Sequence, residues 1–455
     1  MATKRSGGAR AVIALAMDKW TCGCSAEAIE LSERAVSLLA TTPSPWRIKA
    51  RLELAQLYTL MGREESGLAL LEQIGRDDSR ADLEDIARLL ELRGFACQRL
   101  GDAKACIVLC DQAWRLLRNR VHTAKGLAFL DRYAVAARDL GLMSLAKEIH
   151  DDQLRLVADR PGAQTWDARL SGSGTLLLLG ENESARELLE TLPDRGFTSL
   201  QRMDLAYQQM LIGFALGDDE RILRFADGSV LECAMAFGAP HRIGQVAAAF
   251  HRYFIYRRNF ADAASLLSRA VRALTSGDGT WFFALRLCEY GSRSDLGKLR
   301  DLMYRLGHDN DVARLHASLL TCCMERASGQ SENGVRGRLL SIADAFGRLA
   351  WRPHEAFVLE YAGERRRARR IFEQAGMHGE IKRLAVRSHR SRLFGRAQDQ
   401  QLTPREHEVM SLVRQGLTNA SVAKALGITK GTVEQHLYWI FTKLGVAGRN
   451  ELLNT

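Results

Sequence analysis

Apolar residues recur at steps of three and four positions through the first three-quarters of the chain, with polar residues between them. This spacing places the apolar side chains along one face of an α-helix. Regular alternation of β-branched and polar residues, which is typical of strands, is almost absent from the same region. The pattern therefore predicts an all-α fold.

Glycines interrupt this helical pattern at a nearly constant interval. They stand at Gly23, Gly62, Gly101, Gly141, Gly180 and Gly217, with successive gaps of 39, 39, 40, 39 and 37. A small residue follows each of the first five glycines after five positions, namely Ala28, Gly67, Cys106, Ala146 and Ala185. A glycine permits a tight turn, and a small residue lets two helices approach closely. Each repeat is therefore predicted to be a helical hairpin.

A single hairpin cannot bury its apolar face, so the hairpins are predicted to stack into a solenoid. The same phase returns at Gly363 and Ala368, but it is lost between residues 275 and 352, where we predict irregular repeats. The pattern resembles the tetratricopeptide repeat (TPR), whose period is about 34 residues. We predict a TPR-like α-hairpin solenoid, serving as a sensor or interaction domain, over residues 11–386. Residues 1–10 are predicted to be a disordered N-terminus and residues 387–400 a basic linker.

The last 55 residues carry helix-capping signals of their own. Thr403, Pro404 and Glu406 form a predicted capping box with proline at the first helical position. A second helix is predicted to begin near residue 419 and to end at Gly427, and Thr429 is predicted to cap a third helix. A short fourth helix is expected near residues 450–453. The second and third helices, joined by a tight turn, have the arrangement of a helix-turn-helix (HTH) motif.

The motifs of this segment, "LTPREHEV", "GLTN", "VAKALGI", "TVEQH" and "KLGV", resemble the LuxR-type (NarL/FixJ-like) DNA-binding domain over residues 401–455. The resemblance implies a four-helix domain with an HTH. Joined to the helical repeats, it makes the chain similar to the C-terminal half of MalT-like regulators. Those regulators also carry an NTPase domain, but this sequence contains no G-x-x-x-x-G-K-[ST] run. We therefore expect no nucleotide or other cofactor.

The resemblance also implies which residues contact DNA. Base-reading positions fall on Glu434, Gln435 and Tyr438, and phosphate-contacting positions fall on Thr429, Lys430, Thr432 and Lys443. These side chains near the start of the third helix are expected to be exposed if Val433 and Leu437 are core residues. Many members of the family have lysine where this chain has Glu434, so that contact either accepts from a cytosine amino group or is neutral.

Charge is distributed unevenly along the chain. The formal net charge is +10, and the segment Tyr361–Thr455 contains 17 Lys and Arg against 8 Asp and Glu, a net charge of +9. Such asymmetry suggests an acidic partner, most often nucleic acid, for the C-terminal segment. A solvated basic linker is the alternative explanation of the charge taken alone.

Composition narrows the remaining classes of function. The nine cysteines lack the spacing of a disulfide framework or of a metal site, which indicates a reduced, cytoplasmic protein. The longest apolar runs are about seven residues, whereas about 18 are needed to span a membrane. No catalytic motif stands in its expected context. We therefore predict no enzymatic activity and no catalytic or metal site.

Together these features predict a cytoplasmic, nucleoid-associated transcription regulator, an activator rather than a repressor. Its expected partners are double-stranded DNA, RNA polymerase and an unidentified small-molecule, peptide or protein signal that binds the repeats. A homodimer on DNA is expected, with Leu452 and Leu453 as apolar contact surface. The alternative is a protein-interaction scaffold that sequesters another regulator and uses the HTH as a docking module.

Overall fold

In the computed structural model of the chain, the described residues are 2–40, 45–77, 82–100, 102–120, 124–158, 162–193, 195–257, 259–274, 293–306, 310–327, 332–385 and 402–444, together with 449 and 452. These residues form helices and turns, and none of them lies in a β-strand. The predicted all-α fold is confirmed. Within the same residues, no helix is both long and apolar enough to cross a membrane.

Consecutive helices pack against one another as hairpins along the repeat array. The first half of the array consists of α1 (Ala2–Thr21), α2 (Ser25–Leu39), α3 (Pro45–Leu60), α4 (Glu64–Asp77), α5 (Leu83–Arg99), α6 (Ala103–Leu117), α7 (Ala124–Asp139), α8 (Met143–Val157), α9 (Ala163–Leu179) and α10 (Asn182–Glu190). A short 3-10 helix, Arg118–Arg120, follows α6.

The second half of the array continues the same arrangement. It consists of α11 (Ser199–Leu216), α12 (Asp219–Phe225), α13 (Gly228–Phe237), α14 (Pro240–Tyr256), α15 (Phe260–Ala273), α16 (Arg293–Leu306), α17 (Asp311–Ala327), α18 (Glu332–Arg348), α19 (Arg352–Tyr361), α20 (Arg365–Gln374) and α21 (378–385). The predicted linker, residues 387–400, lies outside the described residues.

Most of the periodic glycines occupy the turns of these hairpins. Gly23, Gly62, Gly141, Gly180 and Gly217 have φ angles of +89°, +75°, +81°, +83° and +77°. Glycine adopts this left-handed conformation without the steric cost that a Cβ atom brings. The predicted turns at these five positions are confirmed, whereas Gly101 lies outside the described residues.

The small residue five positions after each glycine is where the paired helices touch. Ala28, Cys106, Ala146 and Ala185 are completely buried. At Gly67 a Cβ atom would lie 2.6 Å from the Thr59 hydroxyl oxygen, so even an alanine would not fit there without a shift. The predicted close approach of the two helices in each hairpin is confirmed.

One turn of the array has alanine, not glycine, at its left-handed position. Ala350 has a φ of +59° and is the one described non-glycine residue with a positive φ. It joins α18 to α19, and the Trp351 N–H donates to the Phe346 carbonyl at 3.0 Å across this turn. The lost phase between residues 275 and 352 therefore includes an ordinary hairpin turn with alanine in the glycine position.

The N-terminus differs from the prediction. Helix α1 begins at Ala2, so the expectation that residues 1–10 are disordered is wrong for residues 2–10. Ala9 is fully buried and belongs to one apolar cluster with Ile13, Leu39 and Ala50. Ala9 packs in this cluster as part of α1, and the polar and glycine residues that precede it in the sequence gave no apolar signal.

The array curves until its later hairpins contact its central ones. The Asn182 side-chain amide donates to the Ala375 carbonyl at 3.0 Å. A Cβ atom at Gly180 would lie 3.0 Å from the Ala375 Cβ, and one at Gly217 would lie 3.2 Å from the Gly379 Cα. The turn glycines therefore also provide room for the C-terminal end of the array.

The C-terminal unit has a separate core. Its helices are α22 (Pro404–Arg414), α23 (Asn419–Leu426) and α24 (Lys430–Leu444). Their buried apolar residues form a cluster of their own, with members Val409, Val413, Val422, Ala423, Val433, Leu437, Ile440, Phe441 and Leu452. Helix α24 also packs against α15 of the repeat array.

Candidate nucleic-acid interface

Helix α22 begins with the predicted capping box. The Glu406 backbone N–H donates to Thr403 Oγ1 at 3.2 Å, and the Thr403 N–H donates to Glu406 Oε2 at 2.7 Å. Pro404 occupies the first turn, where its missing N–H costs nothing. These reciprocal bonds fix the start of α22, which packs Val409 and Val413 into the core.

Helix α23 and the turn after it set the angle of the motif. The Thr418 hydroxyl accepts from the Ser421 N–H at 3.2 Å and thereby caps α23. The helix ends at Gly427, whose φ of +63° lies in the left-handed region. The Ile428 N–H then donates back to the Ala423 carbonyl at 3.0 Å. This closes the tight turn of a helix-turn-helix and orients the start of α24.

Helix α24 is capped and buried on one face. The Thr429 hydroxyl accepts from the Thr432 backbone N–H at 3.2 Å. Val433, Leu437 and Ile440 are buried at spacings of four and three, which is the core face of the helix. The first N–H groups of a helix lack acceptors within the helix, and such N-termini favour anions.

The structure brings five of the predicted DNA-contacting residues together at this end of α24. Thr429 is exposed, whereas Thr432 and Gln435 are half-buried. Lys430 is 67% exposed, and its Nζ lies 3.7 Å from Glu434 Oε1, one helical turn away. Glu434 is therefore partly neutralised by Lys430. A predicted phosphate contact and a predicted base contact thus share one surface.

Tyr438 does not lie where the sequence placed it. We expected an exposed base-reading side chain, but Tyr438 is only 1% exposed. It is absent from the apolar cluster of the HTH core and packs edge-on against Trp439. Helix α24 packs against α15 as well as against the HTH core, and such a long-range contact leaves no pattern in the local sequence.

Two further expectations concern the C-terminal end. Lys443 lies on α24, but its side chain is outside the described residues. Leu452 is fully buried in the HTH core, so the expectation that it forms an exposed dimer surface is wrong. Leu453 lies outside the described residues. The terminal segment therefore completes the core of the domain through Leu452.

Sequence reasoning missed two arginines that hold the helices in place. Arg405 donates from Nη2 to the Leu426 carbonyl at 2.7 Å, which joins the start of α22 to the end of α23. Arg449 donates from Nη1 to Asn419 Oδ1 at 2.9 Å and from Nη2 to the Leu417 carbonyl. No local pattern reveals such bonds, since each joins residues 21 to 32 positions apart.

Other chemistry was sought throughout the described residues. They contain no group of three or more His, Cys, Asp or Glu side chains arranged to hold a metal ion. Cys106 and Cys110 are buried at a helix contact, and the hydrogen bond with Cys106 together with burial raises the pKa of the Cys110 thiol. A buried thiol with a raised pKa is a packing residue and a poor nucleophile.

Comparison with known proteins identifies the C-terminal unit. Residues 400–454 match the family described as bacterial regulatory proteins, luxR family. A candidate HTH-type transcriptional regulator of Mycobacterium bovis is 43% identical over 53 residues, which are 12% of this chain and 6% of that protein. The nitrate/nitrite response regulator NarL of Escherichia coli is 41% identical over 51 residues, which are 11% of this chain and 24% of NarL. The chain thus spans a small fraction of the length of these relatives.

Two solved structures are similar to this chain at TM-scores below 0.5 and at low sequence identity. A Rap protein complexed with competence and sporulation factor covers 81% of this chain and 99% of its own, with 12% identity and a TM-score of 0.46. The quorum sensor NprR from B. thuringiensis covers 82% and 98%, with 12% identity and a TM-score of 0.41. Neither similarity extends to function.

The match over residues 400–454 confirms the predicted LuxR-type HTH domain.

Proposed function

We propose that this chain, which carries a LuxR-family HTH behind an array of helical hairpins, is a DNA-binding transcription regulator. The observation that supports this most directly is the capped start of α24, the second helix of the HTH. Thr429, Lys430 and Gln435 lie at this start. In that motif the start of the second helix enters the major groove. Lys430 and the free N–H groups suit phosphates, whereas Gln435 suits a base edge.

The remaining predicted contacts extend this surface. Thr432 and Lys443 are proposed to hold phosphates, and Glu434 is proposed to accept from a cytosine amino group once Lys430 turns to a phosphate. Tyr438 is proposed as a base contact only after α24 has left α15. An HTH reads few base pairs, so binding as a homodimer to paired half-sites is the expected mode.

The repeat array is proposed to control the HTH. We infer that the contact between α15 and α24 covers Tyr438, which would keep this proposed base contact away from DNA. A signal that binds the array and disfavours this contact would raise DNA affinity, because a ligand shifts an equilibrium toward the state that it binds better. The signal is a small molecule, a peptide or a protein. We propose activation through RNA polymerase, in the cytoplasm, as the outcome.

The experiment compares the full chain with a fragment of residues 401–455. The fragment has its own caps and core, so it is expected to fold and to bind DNA selected from a random pool. We expect tighter binding by the fragment than by the full chain, and a steep loss of affinity with salt for both. The fragment carrying Lys430→Ala is the control for charge.

The outcomes separate the parts of the proposal. A folded fragment and a full chain that both fail to bind any selected DNA would refute DNA binding and favour a scaffold. Equal affinity of fragment and full chain would leave DNA binding intact and refute control by the α15 contact.

A further inference from the structure

The central hairpins and α19 line a cavity in the repeat array that is partly open to solvent. Its volume is about 150 Å³, and its walls come from α7, α9, α11, α14 and α19. A cavity of about 150 Å³ accommodates a benzene ring. The cavity exists because the array curves back on itself, which places α19 opposite the earlier helices. It is therefore a product of the closure at Asn182 and Ala375.

One side of the cavity is apolar. Leu177 and Leu211 from the central hairpins, Ala248 from α14, and Phe357 and Met377 from the C-terminal hairpins line it. Apolar walls of this kind bind an apolar body by removing it from water. The small side chain of Ala248 contributes to the open volume.

Arg138, at the end of α7, supplies a buried cation to the same cavity. Its side chain is about nine-tenths buried, and Nε donates to Asp139 Oδ1 at 3.1 Å. Among the described residues, the bond from Nε to Asp139 is the hydrogen bond that Arg138 donates, so the N–H groups on its two terminal nitrogens remain for a ligand. A guanidinium presents such N–H groups in the fork geometry that matches a carboxylate.

Trp351 adds a second donor. The residue lines the cavity and is 4% exposed, and its indole Nε1 is buried without a hydrogen-bond partner among the described residues. Buried donors are normally satisfied, so an unsatisfied one beside a cavity points to a missing acceptor. An oxygen acceptor on a bound molecule would provide it.

The other charges around the cavity are already balanced. Arg252 pairs with Glu380, and Glu380 also accepts from Arg383 Nε at 2.5 Å. Asp139 is engaged by Arg138 Nε. With these charges paired, the lining offers the terminal N–H groups of one guanidinium as hydrogen-bond donors, which suits one carboxylate group rather than two.

A larger groove elsewhere lacks these features. It measures about 550 Å³ and is lined by residues that include Arg221. Arg221 donates from Nη2 to Glu190 at 2.9 Å, from Nε to Asp218 at 3.1 Å and from Nη1 to Gln209, so all three of its nitrogens have protein acceptors. We therefore use this arginine below as a control.

We propose that the cavity binds a small organic acid, a monocarboxylate whose apolar body is about the size of a benzene ring. The carboxylate would accept from the terminal N–H groups of Arg138 and from the Trp351 indole, and the body would pack on Leu177, Leu211 and Phe357. This assignment rests on the proposed sensing role of the array and names the chemical class of its signal.

The test is isothermal titration calorimetry of the full-length chain with 3-phenylpropanoate and 4-methylpentanoate. The primary amides of the same two acids serve as uncharged probes of equal shape. We expect one acid to bind per chain and the amides to bind at least about tenfold more weakly, since hydrogen bonds to a charged group are the strong ones. Amides that bind as tightly as the acids, or no binding of either acid at millimolar concentration, would overturn the proposal.

Variants locate the site. Arg138→Gln is expected to weaken acid binding at least about tenfold, and Trp351→Phe, which keeps an aromatic ring but removes the N–H, several-fold. Arg221→Gln and Trp114→Phe, which change a half-buried arginine and a tryptophan away from the cavity, should leave the affinity for the acids unchanged. Melting curves establish that each variant is folded. If Arg138→Gln does not fold, Trp351→Phe alone decides, and unchanged affinity in that variant contradicts the assignment.

DNA binding is measured separately by fluorescence anisotropy in the absence of acid. Acid binding by a chain that binds no DNA would support the site and refute the regulator. DNA binding by a chain that binds no acid would support the regulator and refute the acid-binding site.

Discussion

Asn182 and Ala375 are 193 positions apart in the chain, yet the Asn182 side-chain amide donates to the Ala375 carbonyl at 3.0 Å. The same amide nitrogen also donates to the Gly180 carbonyl at 3.0 Å, so one side chain ties a central turn to the last hairpin. Asn182 is buried. This bond, together with the close approach of Gly217 to Gly379, holds the closed form of the array beside α19.

Substitution of Gly180 should test this closure. Gly180→Ala places a Cβ atom 3.0 Å from the Ala375 Cβ in addition to the strain of a φ of +83°. Gly363 has a similar φ of +87°, but a Cβ atom there would have nothing within 4 Å, so Gly363→Ala is the matched control. We expect about 1–2 kcal/mol of destabilisation from the backbone alone in both variants and a larger loss at Gly180. Urea unfolding measures the difference, and equal losses would argue against a tight contact.

In contrast to Gly180→Ala, substitution of Ala350 by glycine is expected to increase the free energy of unfolding. Its φ of +59° is costly for a residue with a Cβ atom, and glycine relieves that strain but gains entropy in the unfolded chain. We expect Ala350→Gly to stabilise the chain by about 0.5–1 kcal/mol. Ala345→Gly, inside α18, is the comparison and should destabilise by about 1 kcal/mol. A destabilising effect of Ala350→Gly would show that this turn is not strained.

The pH dependence of the chain's stability should reflect the protonation of His316. Burial lowers the pKa of His316 to about 4, whereas in the unfolded chain it lies near 6.5. As the pH falls from about 6.5 to about 4, the unfolded chain gains a proton that the folded chain does not, so stability falls, by up to about 3 kcal/mol for this group. Above pH 6.5 the effect is absent.

Two other buried groups contribute in the same pH range. The pKa of His150 is also lowered to about 4 by burial, with the same sign. Burial raises the pKa of Asp131 to about 6, which makes stability rise as the pH falls over part of this range. Comparison of wild type with His316→Leu isolates the histidine, and the variant should lose less stability between pH 6.5 and 4. Parallel pH curves from urea unfolding would contradict the assignment.

Substitutions at the proposed base contact of α24 should affect DNA binding differently from substitutions at its proposed phosphate contacts. Replacement of Gln435 by Ala is expected to cost about 1–3 kcal/mol on the preferred site and to change binding to random DNA little. Lys430→Ala should instead weaken binding to all sequences and lower the salt slope by about one ion, and Lys443→Ala is expected to act in the same way. Anisotropy titrations at several salt concentrations measure both effects. Unchanged affinity and slope in all three variants would remove α24 from the DNA interface.

The capping box at the start of α22 is expected to stabilise the C-terminal domain. Thr403→Ala removes the acceptor of the Glu406 N–H and is expected to destabilise the fragment 401–455 by about 1 kcal/mol. Ser411→Ala, at an exposed position of the same helix, serves as the control with little expected change. Thermal melts of the two variants provide the comparison. A cap variant as stable as the control would show that the box is not needed.

Much of the fold could be predicted from the sequence because the signals are local. The glycine period marks turns that require a left-handed φ, and the residue five positions later marks the contact within one hairpin. The capping box at Thr403 and the apolar spacing of α24 join residues three or four positions apart. Interactions of this range leave a pattern in the sequence that a helix period and a turn rule can recover.

The tertiary structure alone decided what joins distant parts of the chain. The bond between Asn182 and Ala375 and the cavity shared by Arg138 and Trp351 depend on how far the array curves. Tyr438 is buried on a helix that also contacts the distant helix α15. That curvature is the sum of small rotations between successive hairpins, and no single repeat records it. The sequence therefore determined the helices and the HTH, whereas the position of each hairpin in space determined which buried groups face one another.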